Sequence, residues 1–595
     1  MVFNKFFSFF KSILFFCIIL SVIFFEKNYY DSYQLAKSAG FLFFLFLFFI
    51  ILIFTNKKLN ITPVLIFYLL YIIYILFRIL NSNFYMPSYF TAVLLAPFTF
   101  LIPLFLKINL KKFLIFINIL VFISCLYGIL QFFSEKIRPY SFFGNPIFFA
   151  EFLIILLPFI FISFYFFKKN SLFFSFNILF IFINLILSSS RGPLISLFVS
   201  SMILFFILHK NNFIKSGQAF LFHSIFIFTF LFFIFLIPHF NNAIKYNIER
   251  TTDLFSKNSS AIKTRILTAK VALVSVKKNL LYGNSPYSFR FYFPEYQADI
   301  LKEKKGFDFI NTSYVHNDYL QLLNETGIAG LLLFLSFIFS LFFSYDRAFS
   351  YMEEKDFIFA TACITSLIAF LTEGFFNFPL FIFPAALLFY LIASILYSIT
   401  EKFLSFYIFK LKSIFILLFA ILSIITISFL KPFDYISNFY LNYGINRTLK
   451  YLPQDRDYIS KAIKLNPHNF FNYFFMGNAF ASIREYDDAI NYYEKCLKIY
   501  PYSSDILFDI GVMFHAIQNY EKAEKYFKRA IDLYPDFANA HFHLGKIYQS
   551  MGKQDLANKE FEIVNRLSPY IFEEELSKSV VFFGEASFEM KYNSK

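Results

Sequence analysis

Three short stretches of this chain hold the residue types that chemistry needs. In Ser188-Ser189-Ser190-Arg191-Gly192-Pro193 an arginine stands between two apolar runs with almost no loop. Arg at a membrane face is costly unless its stem snorkels or its guanidinium meets an anion, and on this stretch alone the two readings stand level. The small hydroxylated neighbours and Gly-Pro suggest a shaped opening where backbone groups and Arg191 face a phosphate. Arg265 is the second candidate, within a stretch from Ile262 to Ala272 whose periodicity puts Ala261, Arg265 and Thr268 or Ala269 on one helix face. A solvated charge on an amphipathic helix is the plainer reading of it. Asn279-Leu280-Leu281-Tyr282-Gly283-Asn284 then ends that helix, with Gly283 suited to a left-handed turn. The third stretch runs from His316-Asn317-Asp318-Tyr319-Leu320-Gln321 to Glu325-Thr326-Gly327. A lone histidine is usually structural, but this one precedes a membrane re-entry, where imidazole can orient or deprotonate an acceptor hydroxyl. Asp318 and Glu325 are the next two carboxylates after it in sequence. Glu151 is an acid at apparent membrane depth, a partner for an arginine or the sign of an overestimated span, and Glu373 raises the same question more weakly. No nucleotide-binding loop, zinc motif or serine-hydrolase elbow is visible, so neither metal nor cofactor is expected.

The elements that must position these groups are membrane spans. The chain is 58% hydrophobic and only 16% charged over 595 residues, too little charge to cover a soluble protein of that length. Apolar windows predict about 12–13 spans: 6–25, 39–54, 62–80, 88–106, 113–133, 146–167, 171–188, 192–208 and 219–237, then 327–344, 357–373, 377–398 and 411–430. One set of alternate loops is richer in lysine, including Lys57, Lys58, Lys111, Lys112, Lys168, Lys169, Lys410 and Lys412, and is assigned to the cytoplasm. That choice places the large loop outside, and with an odd span count the C-terminal domain as well. Much of the net charge of +15 is this orienting lysine, so no nucleic acid is expected as a partner. Cys17, Cys125, Cys363 and Cys496 make neither a metal spacing nor a disulfide framework.

Near Asn438 the composition turns ordinary and a repeat begins. Pro467, Pro501, Pro535 and Pro569 keep a 34-residue step, as do Gly477, Gly511 and Gly545, and Ala489, Ala523 and Ala557. Tyr493, Phe527 and Phe561 fill the large position of each second helix. Small residues allow close helix approach, an aromatic fills the gap beside them and proline ends the second helix. The pattern predicts three full tetratricopeptide repeats over 470–571 and a capping helix near 572–584. The expected organisation is an all-α chain: 1–237 an N-terminal transmembrane bundle, 238–326 a large extracytoplasmic loop, 327–430 further spans, and 438–595 an α-solenoid of repeats.

Phe143-Gly144-Asn145-Pro146, Ser190-Arg191-Gly192, Arg265 with Asn279 to Gly283, and the block from His316 to Leu331 occur in an order, and around a loop, that resembles the O-antigen ligase and polymerase superfamily of polytopic bacterial glycosyltransferases. Two departures bear on the branch: Asn284-Ser285-Pro286 follows Gly283 where Gly-x-Gly is usual, and Ile-Phe follows Pro146 in place of a small polar residue. The resemblance implies a bacterial cytoplasmic-membrane enzyme that transfers a glycan from polyprenyl diphosphate to a glycan, lipid or protein hydroxyl, without a metal. It further implies Arg191 and Arg265 on the diphosphate, His316 at the acceptor, Asp318, Glu325 and Glu151 in support, and a protein partner at the repeats. The rival reading is a transporter or flippase of lipid-linked glycan; it predicts two related halves with interrupted helices, and no such internal symmetry is visible.

Overall fold

The computed structural model describes residues 62–81, 96–105, 109–135, 137–167, 171–188, 190–210, 260–303, 309–403 and 453–567, with short pieces at 16–17, 19–20, 58–60, 93, 410–412, 437 and 440–441. The spans expected at 39–54 and 219–237, nearly all of 6–25 and of 411–430, and the capping helix near 572–584 lie outside the described residues.

Among the described residues the chain is all-α apart from one ribbon of three-residue strands, in which Lys58 pairs with Lys412 and Asn60 with Lys410. The membrane helices are α1 (Pro63–Leu80), α2 (Leu110–Glu135), α3 (Pro146–Phe166), α4 (Ser171–Ser188) and α5 (Arg191–Lys210). Two helices of the loop follow, α6 (Ser260–Val276) and α7 (Phe289–Glu303). Next come α8 (Asp318–Ala348), α9 (Glu354–Glu373) and α10 (Phe383–Thr400). Six helices among the described residues are long and apolar enough to cross a membrane, and the protein is a multi-pass membrane protein. Helix starts follow local chemistry: Thr62, Asn145 and Asn317 cap α1, α3 and α8 through their side-chain oxygens, and proline takes the first position of α1 and α3.

Inside the bundle α10 is almost wholly buried. Small polar side chains knit the neighbouring helices: Asn118 Nδ2 donates to Ser163 Oγ at 2.8 Å, and Asn177 Nδ2 to Asn118 Oδ1 at 3.0 Å. In an apolar surrounding such bonds fix which helix faces meet, since burial alone does not distinguish lipid from protein. The ribbon joins the start of α1 to the segment after α10, at the end of the bundle opposite Arg78 near the α1 C-terminus.

The repeats form as their spacing requires: Phe470–Ser482 with Tyr486–Ile499, Ser504–Ala516 with Tyr520–Leu533, and Ala538–Ser550 with Gln554–Leu567, preceded by Pro453–Leu465. Gly477, Gly511 and Gly545 each back on the ring of Tyr493, Phe527 or Phe561. The array is not a loose appendage. Phe291 of α7 packs edge-on against Phe470 and Tyr500, Arg290 lies over the rings of Phe470 and Phe471, and Phe309 stacks on Tyr534 with ring centroids 3.9 Å apart.

Candidate functional site

The site is assembled at one end of the bundle from four segments. The first is a break in α8. Gly327 has φ +70° and ψ −174°, so the helix opens there and loses backbone bonds. The turn after α6 fills the gap: Ile328 N donates to Leu280 O and Ala329 N to Leu281 O, while Asn284 N and Ser285 N donate to Asn324 O and Glu325 O. Every freed group therefore finds a partner, as a membrane-embedded break demands. Gly283 has φ +74°, and a Cβ on either Gly283 or Gly327 would meet backbone closer than 3.0 Å. Two sequence motifs, Leu-Leu-Tyr-Gly and Glu-Thr-Gly, are thus two sides of one joint. Arg78 Nη2 donates to Gly283 O at 3.1 Å and Tyr74 Oη to Thr326 O at 2.6 Å, holding the joint from α1.

The second segment is the turn leading into α8. His316 has φ +59°, a left-handed conformation that costs free energy in a non-glycine residue. Its neighbours enforce it. Gln321 Oε1 accepts from Val315 N at 2.7 Å, Asn317 Oδ1 caps Leu320 N, and Asn317 Nδ2 donates to Phe375 O. Thr268 Oγ1, one turn along α6 from Arg265, donates to Val315 O at 2.8 Å, which ties the arginine helix to the histidine turn. Asn324 Nδ2 donates to Ala272 O and Ser275 Oγ further down α6. The polar residues of this block therefore set the position of His316 relative to Arg265.

Arg265 and His316 interact electrostatically, and both are half-buried. Burial first, and then Arg265, push the His316 imidazole down to about 4. Burial likewise lowers Arg265, with Glu373 acting in the opposite sense. No hydrogen bond from the described residues reaches the His316 ring, whose only ring contact there is the edge of Phe378 with centroids 5.1 Å apart. Nor does the Arg265 guanidinium donate to any described residue. The Arg265 guanidinium and the His316 imidazole thus feel each other electrostatically, and neither spends its hydrogen-bonding capacity on the described residues.

The third segment is the Ser188–Arg191 turn between α4 and α5. Arg191 opens α5; its side chain lies outside the described residues. Arg138 Nε donates to Ser188 O at 2.7 Å, and its Nη2 bonds both Ser188 O and Ser190 Oγ, so Arg138 fixes this turn. Nothing in the sequence around Arg138 marks this role, because its partner lies 50 residues away. The fourth segment is the end of α9. Glu373 is buried, accepts from Ser196 Oγ of α5 at 2.9 Å and from Asn377 Nδ2, and lies directly under Gly192.

The supporting carboxylates differ in what they touch. Asp318 accepts from Leu380 N, and its own N–H donates to Gly374 O at 2.8 Å. Glu325 accepts from Gln321 Nε2 at 2.7 Å and from the backbone of Tyr287 and Phe289. Both accept from backbone N–H groups: Asp318 in the segment after α9, Glu325 at the start of α7. Glu151 is fully buried beside Glu373 and Asp318, and its oxygens accept no hydrogen bond from the described residues. No group of three metal-ligating residues occurs among the described residues.

Residues 176–335 match a family model described as O-Antigen ligase, and residues 470–536 one described as Tetratricopeptide repeat. The first match spans Arg191, Arg265 and His316. No curated protein matches the chain. Among solved structures, a crystal structure of MamA is 21% identical, covering 27% of this chain and 90% of its own, with a TM-score of 0.22. A MamA fragment from Desulfovibrio magneticus RS-1, from residue 41 to its end, is also 21% identical, covering 23% and 77%, with the same TM-score of 0.22. The chain thus carries a stretch that matches an O-antigen ligase model and one that matches a tetratricopeptide repeat model, within one multi-pass membrane protein.

Proposed function

We propose that this protein is a glycosyltransferase that moves a glycan from polyprenyl diphosphate to an acceptor hydroxyl outside the cytoplasmic membrane. The observation that carries the reading is the juxtaposition of Arg265 and His316, neither spending its donors or acceptors on the described protein. In the transfer, the bond between the anomeric carbon and the diphosphate oxygen breaks and its electron pair leaves with polyprenyl diphosphate. The acceptor oxygen bonds to the anomeric carbon, and its proton passes to the diphosphate that leaves. Arg265 and Arg191 take the charge that grows on the diphosphate, because guanidinium stays protonated and forms paired bonds to phosphate oxygens, a role other enzymes give to a metal ion. Each such donor is worth on the order of 3 kcal/mol in the transition state. His316, neutral across the ordinary pH range, accepts from the acceptor hydroxyl and aligns it. Its protonated form is disfavoured beside Arg265, so alignment suits it better than storing the proton.

Orientation follows from the lysines. The ribbon gathers the loops of Lys58, Lys410 and Lys412 at the bundle end opposite the site. By the positive-inside bias that end is cytoplasmic and the site is external. The repeats, docked on α7 beside the site, are then external too, with 238–326 the catalytic loop and 438–595 a platform for a protein partner or acceptor.

The test is replacement of Arg191, Arg265 and His316 singly by Ala, with membrane levels checked by immunoblot. Lipid-linked glycan should accumulate while product disappears; undiminished transfer in all three variants refutes the assignment. Glycan profiling of a deletion strain then separates the acceptors: a ladder collapsed to single units means polymerisation, and loss from one acceptor means ligation.

A further inference from the structure

Helix α6 is apolar on two sides. The inner side is covered: Leu267, Val271 and Ala272 pack with Phe289, Phe293 and Val315 in a small core of their own. The outer side is bare. Ile266, Leu273 and Val274, followed by Leu280, Leu281 and Tyr282 of the turn after the helix, are each between 42% and 54% exposed. Ile266 and Leu273 are seven residues apart, and so are Lys263, Lys270 and, in the turn that follows, Lys277. Seven residues are close to two turns, so an apolar row and a lysine row run side by side along the helix. From Ser260 to Gly283 the sequence contains no carboxylate to neutralise those lysines.

What covers the outer side follows from where the turn is fixed. Leu280 O and Leu281 O accept from Ile328 N and Ala329 N, where the apolar stretch of α8 begins, and Arg78 at the end of α1 donates to Gly283 O. The turn therefore sits at the ends of two membrane helices. Their own outward side chains, Ile73 and Phe77 on α1, Ile328 and Leu332 on α8, are exposed as lipid-facing residues are. The outer side of α6 continues that surface. Facing water, its apolar row would be an aggregation patch; lying in the interface, it is buried at headgroup depth while lysine stems reach up to phosphates. We propose that α6 rests on the bilayer surface, with its outer apolar row and the Leu280–Tyr282 turn at the headgroup–acyl boundary and Lys263 and Lys277 on the phosphates of anionic phospholipids. This seating sets the depth of the helix that carries Arg265, and it holds whatever reaction that arginine serves.

The chain contains no tryptophan, so one introduced indole reports its own surroundings. The test places Leu273→Trp in the full-length protein, reconstituted in phosphatidylcholine nanodiscs with and without phosphatidylglycerol. Brominated acyl chains should quench its fluorescence about twofold or more, while aqueous acrylamide quenches it little. Gln549→Trp, at the exposed end of a repeat helix, should respond the opposite way. Phosphatidylglycerol should deepen the lipid quenching of Leu273→Trp, and adding Lys263→Gln with Lys277→Gln should remove that increment. Tyr282→Trp serves as the reporter should Leu273→Trp not fold. An indole open to acrylamide and untouched by brominated lipid overturns the proposal. An indole shielded from both is covered by protein, a second copy or a partner of the repeats, and overturns it as well. Lipid quenching that neither phosphatidylglycerol nor the lysine changes alter overturns the phosphate contacts.

Discussion

Two histidines, one at the bundle end and one in the repeats, divide the molecule by what they do with their nitrogens. His541 is buried and spends both: Nδ1 meets Glu560 Oε2 at 2.6 Å and Nε2 meets Pro535 O at 2.9 Å. Burial pulls its imidazole down, but Glu560 and the Pro535 carbonyl outweigh burial and leave it above the ordinary histidine value. His316 has left-handed backbone, no hydrogen bond from the described residues and an imidazole pushed down to about 4. The His541 ring is saturated by the fold, whereas the His316 ring combines a costly backbone conformation with nitrogens that the described residues leave unsaturated.

The glycines repeat the contrast. Gly477, Gly511 and Gly545 back on aromatic rings, side chains with some room to give, and they do so identically at each repeat. Gly283 and Gly327 back on each other's main chain, and Gly192 on a pinned carboxylate. Repeat glycines permit packing, whereas site glycines permit a geometry that nothing else in the local chain could adopt.

The sharpest way to break this comparison is Gly283→Ala. Left-handed φ and three backbone collisions predict loss of the α8 joint and of membrane-accumulated protein, seen as absence from the membrane fraction. Next in size, Arg265→Ala and His316→Ala should lower transfer on the order of a hundredfold or more at normal protein levels, while His541→Ala leaves transfer per folded molecule unchanged. Equal losses at His316 and His541 would erase the distinction. Gly511→Ala should then cost about 1–3 kcal/mol by overpacking against Phe527, read as a lower melting temperature with transfer retained.

The smallest effects are in pH, and they run in opposite directions. The depressed His316 keeps its neutral form as pH falls through 6.5, so the acid limb of the transfer profile should lie nearer 4. Across the same window the unfolded chain takes up that proton more readily than the folded one, so stability at this turn declines as pH falls. The raised His541 contributes stability that is complete below its unfolded value near 6.5 and is lost as pH rises through its folded value. Glu560→Gln should flatten the second dependence and leave the first.

Legibility followed the range of the interactions. The repeats could be read because each position recurs and packs against its own neighbour. Gly283 could be read because a left-handed turn is decided within a few residues, and the boundaries of α1 and α3 because the apolar windows begin and end there. Arg138, Arg78 and the full part played by Glu373 could not, since their partners are 50, 205 and 177 residues away and each looks locally like a stray charge at a helix end. The docking of the repeats on α7 was hidden for another reason. With 100 Phe and 40 Tyr in the chain, the aromatics that make that contact do not stand out.

That docking has a consequence for biogenesis. Arg290, Phe291 and Phe309 emerge from the ribosome long before the rings they clasp, so this sticky face waits bare beside the translocon while the later spans are threaded. A nascent chain stalled before the solenoid would present an unshielded aromatic surface to chaperones and proteases. Quality control can therefore read the completion of the last-made segment from a patch on a much earlier one.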